Sequence, residues 1–278
     1  MRIIDTHLHL IYLDRLRYPW LDGEPALNRQ WDAPTYFAEA EKLGIVAALH
    51  MEVDVPVAEI AAENALVLGV DPRVVGAISN GRPESADFPA WLDGLVAEPR
   101  IRGIRRLLQA EPDELSRAEL FRANLRRLAP HGLTFDICVR PWQLGVAREL
   151  AAACPQVQFV LDHCGNPPIA SGDIGDWRRD VAALAALPNV VGKISGIVNH
   201  APQGWTPDDL RPVVEHMIDS FGWDRVMFGS DRPVLTVNGS LTLWVEALRA
   251  IVSGASDDEQ AKLFHRNATR VYRLGERV

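Results

Sequence analysis

The sequence predicts a (β/α)8 barrel, an α/β fold in which eight parallel strands alternate with helices. Short apolar, β-branched runs recur along the chain, and each is followed by a segment with helical periodicity. This pattern is typical of βαβ units around a parallel sheet. The chain has 278 residues, close to the roughly 250 of one such barrel. Its 47% of hydrophobic residues can fill a large core.

The elements follow one another in a regular order. The apolar runs predict strands at 2–7, 45–51, 74–79, 101–107, 133–139, 157–161, 190–194 and 225–228. Helical periodicity predicts helices at 34–43, 56–68, 115–128, 142–153, 176–187, 207–221 and 241–252, and one or two more within 256–274. Two helix starts are marked, by a capping box from Ser116 to Glu119 and by Pro207 after Thr206. No linker or repeat interrupts this order, so we expect one domain, 1–278.

The connection at 10–32, between the first strand and its helix, is unusually long. Loops of this length in compact domains are usually functional or disordered, and its aromatic and proline residues favour an ordered flap. The loops that follow barrel strands build the active face. We therefore expect this loop to overhang the end of the first strand and to offer Tyr18 and Trp20 to a substrate.

Composition excludes several classes of protein. A net charge of −8 argues against binding to nucleic acid, which needs a basic face. No apolar run approaches the roughly 20 residues that span a bilayer. Three cysteines without CxxC spacing, and no apolar leader before the first strand, lead us to expect a reducing cytoplasm. An oligomer is compatible with the sequence but is not indicated by it.

The pair His7 and His9 ends the first predicted strand. Side chains alternate across a strand, so both imidazoles point the same way. They can present two nitrogen ligands to a divalent metal, or two donors to a substrate oxygen. The competing interpretation is a strand end whose histidines face solvent.

Later strand ends are also polar, and in a barrel they converge on one pocket. The side chains in question are Glu52 and Asp54, Arg105 and Arg106, Arg140 and Trp142, Asp162 and His163, Lys193, Asn199 and His200, and Asp231. Three histidines, His7, His9 and His163, together with Asp231, could form a single metal site.

Four segments resemble the amidohydrolase superfamily, in its amidohydrolase 2 branch of sugar-acid and aromatic-acid lactonases. They are His-Leu-His at 7–9, Leu-Asp-His-Cys-Gly at 161–165, Lys-Ile-Ser-Gly at 193–196 and Phe-Gly-Ser-Asp at 228–231. The segments at 18–21, 51–54, 103–105 and 139–144 resemble the L-fuconolactonase and L-rhamnonolactonase group. The match runs nearly end to end and in the same order.

The resemblance implies a lactonase that opens a small sugar-acid lactone. Asp231, with a reference pKa of about 3.9, would be ionised and would act as general base on a water. His163, His7 and His9 would polarise the lactone carbonyl, either directly or through a metal acting as Lewis acid.

Metal use stays open at this point. Two-metal members of the superfamily have a bridging lysine or carboxylate on strand four and a further histidine on strand five. Arg105 and Arg140 stand on those strands here, so we do not expect a binuclear centre. One Zn²⁺ held by His7, His9, His163 and Asp231 is one possibility, and a metal-independent lactonase is the other, since an activated ester needs less lowering of the barrier than an amide.

Other residues are candidates for substrate binding, each with a structural alternative. Arg105 and Lys193 could hold substrate or form buried ion pairs. Trp142 could stack on a sugar or pack against a helix start. Arg232 stands where members of the group commonly have tryptophan, and could favour an acidic substrate or turn into an ion pair. The full set is Arg105, Glu52, Trp142, Lys193, Tyr18, Trp20, Arg232 and His200, with Glu52 also a possible metal ligand.

Four histidines are not expected at strand ends, and other functions are compatible with this scaffold. His50, with those at 131, 216 and 265, is expected on the surface or on helices. A metal-dependent decarboxylase of an aromatic or unsaturated acid is the main alternative function on this scaffold. A non-catalytic sugar-acid binder is disfavoured, because binding alone would not need Asp231 beside converging histidines.

Overall fold

Eight parallel strands form a barrel in the computed structural model, which describes residues 1–275. Each strand pairs with the next one along the chain, as the alternating pattern predicts. The strands are β1 (Ile3–Leu8), β2 (Ile45–Met51), β3 (Val74–Asn80), β4 (Ile101–Arg106), β5 (Thr134–Ile137), β6 (Gln158–Leu161), β7 (Val190–Ile194) and β8 (Val226–Phe228). The predicted (β/α)8 barrel is confirmed.

The seam between β8 and β1 closes near the carboxyl ends of the two strands. The hydroxyl of Thr6 donates to the carbonyl of Phe228 at 2.6 Å. Beyond the strands, the backbone N–H of Asp231 donates to His7 and that of His9 donates to Arg232, both at 2.8 Å. These bonds hold the segments that carry His9 and Asp231 side by side.

Helices surround the barrel, and most lie close to their predicted positions. They are α1 (Ala33–Ala40), α2 (Ile60–Gly69), α3 (Phe88–Leu95), α4 (Glu114–Arg117), α5 (Glu119–Arg126), α6 (Leu144–Ala153), α7 (Gly175–Ala185), α8 (Pro207–Phe221), α9 (Leu241–Ile251), α10 (Asp257–Ala261) and α11 (Asn267–Val271). Helix α3 was not predicted, because it is short and contains a proline and a glycine. At the start of α8, Thr206 and Asp209 form a capping box, and Pro207 is the first helical residue. This confirms the predicted start.

The helix predicted at 115–128 is divided into α4 and α5. Ser116 lies inside α4, where its hydroxyl donates to the carbonyl of Asp113. The residue that precedes α5 is Ala118, in an extended conformation. The predicted capping box from Ser116 to Glu119 is therefore wrong, because a break in the helix falls between the two residues.

The C-terminal helices cover the end of the barrel at which the strands begin. Ala268, Val271 and Tyr272 pack against interior residues such as Ile4 and Val160. A π-helical turn at Lys262–Arg266 joins α10 to α11. The predicted domain ends at 278, and residues 276–278 lie outside the described range. Within the described range, no helix has both the length and the apolar character needed to cross a membrane.

The long loop at 10–32 is ordered, as expected. Ile11 and Trp31 exchange two backbone hydrogen bonds of 3.0 Å, which close the loop at its base. Inside it, Leu16, Tyr18 and Leu21 are buried in an apolar cluster that includes residues after β2. The loop is thus a packed layer over the first two strands.

Candidate active site

Three imidazoles and one carboxylate meet at the carboxyl end of the barrel. The Oδ1 atom of Asp231 lies 3.5 Å from Nε2 of His9 and 3.8 Å from Nε2 of both His7 and His163. All four residues are buried. The structure therefore brings the predicted catalytic and metal-binding residues into one group.

Two glycines leave the space that these histidines occupy. A Cβ atom at Gly229 would lie 2.8 Å from the Cβ of His7. A Cβ atom at Gly196 would lie 2.4 Å from Nδ1 of His163, and Gly196 has φ +65°, which favours glycine. The close approach of two loops to the histidines thus depends on residues without side chains.

Contacts on the far side of two rings orient them. Nδ1 of His9 is 3.0 Å from the carbonyl of Met51, and Nδ1 of His7 is 3.3 Å from the carboxylate of Asp162. Both partners can only accept, so each Nδ1 carries the proton. The ammonium of Lys193 is 3.4 Å from Nδ1 of His7, but it lies nearer to Asp136 and Asp162, at 2.6 and 3.1 Å. The guanidinium of Arg105 lies 3.4 Å from Nε2 of His7 and fits the same tautomer. The Nε2 lone pairs of His7 and His9 therefore face Asp231.

Burial sets the charge of these groups. It lowers the pKa of His9 to about 3 and also lowers the pKa of His7 and His163, so the imidazoles are neutral near pH 7. Burial raises the pKa of Asp231 to about 6, although His163 and Arg105 oppose this. Asp231 is still mostly ionised at pH 7, and its pKa is nearer to the value that suits a general base at that pH.

This donor set fits a divalent metal. Lone pairs on imidazole nitrogens and on a carboxylate oxygen repel one another unless a cation lies between them. His7, His9 and Asp231 place one ligand atom each within 4.8 Å of the others. Four further buried carboxylates surround them, those of Asp5, Glu52, Asp136 and Asp162. The buried cations that face these carboxylates are Arg105 and Lys193, while Arg232 is paired with Glu39. The excess of negative charge also favours a cation.

A cavity of about 580 Å³ opens above this group. His9, His163 and Asp231 line it together with five of the predicted substrate-binding residues, namely Arg105, Glu52, Trp142, Trp20 and His200. Its size suits a small-molecule ligand. Trp142 is 73% exposed, and the indole of Trp20 donates to the carbonyl of Val53 at 2.9 Å.

Glu52 is fully engaged within the protein. It accepts from Nε of Arg105 at 2.6 Å, from Asn80 at 3.0 Å and from the backbone N–H of Asp54 at 2.8 Å. Burial opposes its ionisation, but Arg105 and these hydrogen bonds outweigh burial and lower its pKa. Glu52 and Arg105 thus form a buried ion pair in the wall of the cavity.

Three predicted substrate-binding residues lie away from the cavity. Lys193 is completely buried beneath it, 2.6 Å from Asp136 and 3.1 Å from Asp162. Tyr18 packs inside the long loop, where its hydroxyl accepts from the backbone of Tyr12. Arg232 points to α1, 3.5 Å from Glu39 and over the ring of Trp31. Lys193 and Arg232 are held by ion-pair partners that are distant in sequence, and Tyr18 is held within its own loop.

Some residues near the site were given no role from the sequence. Asn199 donates to Oδ2 of Asp231 at 3.3 Å, and Ser195 lies 3.0 Å from Nδ1 of His163. Asn199 and Asp162 were expected near the pocket as residues at strand ends, but the contact by which Asp162 orients His7 is visible only in the structure. His50 was expected at the surface or on a helix, but it is buried on β2 beside Glu63. The apolar residues beside it in the sequence indicated that it lies on a strand.

Asp5 is a buried carboxylate that supports the site from β1. Its Oδ1 accepts from the backbone N–H of His7 at 3.0 Å and of Ser230 at 2.8 Å. Its Oδ2 accepts from the hydroxyl of Tyr36 at 2.6 Å. The carboxylate therefore ties the histidine strand to the segment that carries Asp231.

Comparisons with known proteins agree with this geometry. The amidohydrolase family model (Amidohydro_2) matches residues 4–274. An L-fucono-1,5-lactonase of Burkholderia multivorans is 31% identical over 98% of this chain and 96% of that protein. Another, of Burkholderia ambifaria, is 37% identical over 69% of this chain and 68% of that protein. A crystal structure of an amidohydrolase from Burkholderia multivorans with bound Zn has a TM-score of 0.89 and 27% identity, covering 99% of this chain and all of that one (100%). This chain belongs to the amidohydrolase family.

Proposed function

We propose that this protein hydrolyses the cyclic ester of a sugar-acid lactone, an aldonolactone such as L-fuconolactone or L-rhamnonolactone. The observation that carries the proposal is Asp231, a carboxylate with a pKa of about 6, beside three neutral imidazoles at the base of a cavity for a small molecule. The names of the two lactonase relatives support the same reaction.

The proposed chemistry starts with Asp231. Its carboxylate takes a proton from water, and the resulting hydroxide adds to the lactone carbonyl carbon. The tetrahedral intermediate then breaks the bond to the ring oxygen, and Asp231 returns its proton to that oxygen. The new carboxylic acid ionises, so one proton is released for each ring opened. Asn199 holds Oδ2 of Asp231 in place during these transfers.

We propose that His7, His9, His163 and Asp231 hold one Zn²⁺. When bound, the ion would act as a Lewis acid on the carbonyl and would lower the pKa of a bound water. The competing version needs no metal, because the guanidinium of Arg105, 3.4 Å from Nε2 of His7, already supplies positive charge at the site.

The first test is a panel of aldonolactones assayed with a pH indicator. We expect at least one lactone to be opened with release of a proton. The variant Asp231→Asn should lose about 100-fold or more in kcat, because the general base is removed. The control Asp93→Asn changes an exposed aspartate on α3 and should leave kcat unchanged. A protein that opens no lactone in the panel contradicts the proposed function.

The second test concerns the metal. We expect one divalent ion per chain by elemental analysis, loss of lactonase activity on chelation, and recovery with added Zn²⁺. Full activity after complete removal of metal would instead establish the metal-independent version. The decarboxylase alternative predicts a different signal: an aromatic or unsaturated acid would be consumed with release of CO2 and uptake of a proton.

A further inference from the structure

We infer that Asp54 determines the specificity of this site, by accepting hydrogen bonds from ring hydroxyl groups of an uncharged, polyhydroxylated lactone. The inference rests on the proposed function, since it concerns the part of the lactone that does not react. Nothing in the reaction itself needs Asp54.

Asp54 lines the cavity, and its carboxylate is only partly engaged. The Oδ1 atom lies 3.4 Å from the amide nitrogen of Asn80 and 4.0 Å from the guanidinium of Arg82. Within residues 1–275, no hydrogen bond from another residue reaches Oδ2. The side chain is 43% exposed and lines the cavity, so the carboxylate is open to a ligand there. A carboxylate in this state can accept two hydroxyl donors.

The neighbouring residues fix the position of this carboxylate. Asp54 has φ +48°, and its backbone N–H donates to Glu52 at 2.8 Å. Asn80 bonds to both acidic side chains and so sets the distance between them. Glu52 accepts three hydrogen bonds, from Arg105, Asn80 and Asp54, and its side chain is fully buried, which leaves Asp54 as the more open acceptor on this wall. A group held in this way can select among ligands without moving.

An aromatic surface accompanies the carboxylate. The indole of Trp20 lines the same cavity and is anchored to the carbonyl of Val53, the residue before Asp54. A sugar ring has apolar C–H faces and a polar hydroxyl edge. An aromatic ring and a carboxylate in one wall complement these two features.

The charges on this wall favour a neutral ligand. Three carboxylates, those of Glu52, Asp54 and Asp231, line the cavity against two arginines, Arg105 and Arg140, and Arg105 is paired with Glu52. A carboxylate on the ligand near Asp54 would meet like charge. Hydroxyl groups, in contrast, donate to ionised oxygens in short, charge-assisted hydrogen bonds.

The test compares two lactones of the same ring size, an aldono-1,5-lactone and unsubstituted δ-valerolactone. The variant Asp54→Gly removes the whole side chain at a backbone conformation that glycine adopts freely, and Asp54→Asn keeps the shape while removing the charge. We expect kcat/KM for the aldonolactone to fall about 10- to 100-fold in Asp54→Gly, and less in Asp54→Asn. Hydrolysis of δ-valerolactone should stay within about twofold of wild type. Asp93→Asn should change neither rate.

Two kinetic results would overturn the inference. One is an equal loss for both lactones, which would mean that Asp54 acts on the reaction through Glu52 or Asn80. The other is no loss for either lactone. Circular dichroism and thermal unfolding confirm that each variant is folded.

Calorimetry separates the inference from the proposed function. The aldose that corresponds to the lactone has the same ring hydroxyls and no ester, so its binding needs no hydrolysis. If wild type opens no lactone but binds the aldose about 10-fold more tightly than Asp54→Gly does, the proposed function fails and the inference stands. Equal binding by the two proteins, or no binding by wild type, rejects the inference.

Discussion

Four residues that line the cavity have backbone conformations in the left-handed region: Asp54 (φ 48°), His163 (φ 52°), Asn166 (φ 56°) and Asp231 (φ 61°). Residues other than glycine adopt this region infrequently and at a cost, and such residues cluster at active sites. The loops after β2, β6 and β8 therefore turn sharply toward the cavity. His163 and Asp231 enter the site because of these turns.

Gly196 offers a test at the scale of one residue. In Gly196→Ala, the new methyl group would lie 2.4 Å from Nδ1 of His163, so the ring must move. We expect a loss of at least about 10-fold in kcat and in affinity for Zn²⁺, because a displacement of about 1 Å in a catalytic group can cost that much or more. A steady-state assay measures kcat, and a metal titration measures the affinity for Zn²⁺.

The matched control is Gly172→Ala. Gly172 has φ +74°, similar to Gly196, but a Cβ atom there would have no neighbour within 4 Å. Both variants should lose about 1–2 kcal/mol of unfolding free energy from backbone strain alone. If the two variants keep the same kcat, His163 does not depend on the space at Gly196.

Two elements position the residues that line the cavity: the seam between β8 and β1, and the long loop at 10–32. At the seam, backbone hydrogen bonds between β1 and the segment after β8 place His9 and Asp231 together. The loop is joined to the segment after β2 by the bond from Trp20 to Val53 and by shared apolar packing. The position of Trp20 in the cavity wall therefore depends on contact between two loops.

Trp20→Phe tests the loop as an element. The variant keeps an aromatic ring and removes the Nε1–H that donates to Val53. We expect KM for the lactone to rise about 5- to 10-fold with little change in kcat, since one hydrogen bond contributes about 1 kcal/mol and the reacting groups are untouched. Trp91→Phe, at another partly buried tryptophan beside the same cluster, should leave KM unchanged. A fall in kcat with constant KM in Trp20→Phe would contradict this role.

A buried polar network extends through the barrel from one end to the other. The hydroxyl of Tyr272, in the C-terminal segment, donates to Asp136 at 3.0 Å. Lys193 lies between Asp136 and Asp162, and Asp162 orients His7. The network links the C-terminal cover of the barrel to the active site, and it explains why Lys193 is not available to a substrate.

Lys193→Met tests the network at the scale of the whole molecule. The variant leaves the buried carboxylate of Asp136 without its cation, and leaves Asp162 with Arg105 alone, at 3.6 Å. We expect the free energy of unfolding to fall by about 3–5 kcal/mol, as for other buried pairs that lose one partner. Urea denaturation measures the change. Lys42→Met removes an exposed lysine and should stay within about 0.5 kcal/mol of wild type, and a similarly small effect at Lys193 would refute the argument.

Local patterns were sufficient for the fold and for the central residues of the site. Alternating apolar strands and helices specify a barrel, and in a barrel the carboxyl ends of the strands converge. His7, His9, His163 and Asp231 could therefore be identified from their places at strand ends. The helices around α3 to α5 were less predictable, because a short helix with proline and glycine has weak periodicity and a break needs only one residue.

The tertiary structure alone decided which charged residues face the cavity. Lys193 and Arg232 stand near strand ends in sequence, as Arg105 does, yet one lies beneath the cavity and the other points to Glu39 on α1. Their partners are distant in sequence, so no local pattern shows which ion pair forms. A buried charge is stable only beside a partner of opposite charge. The position of that partner depends on strand register and loop packing across the whole barrel.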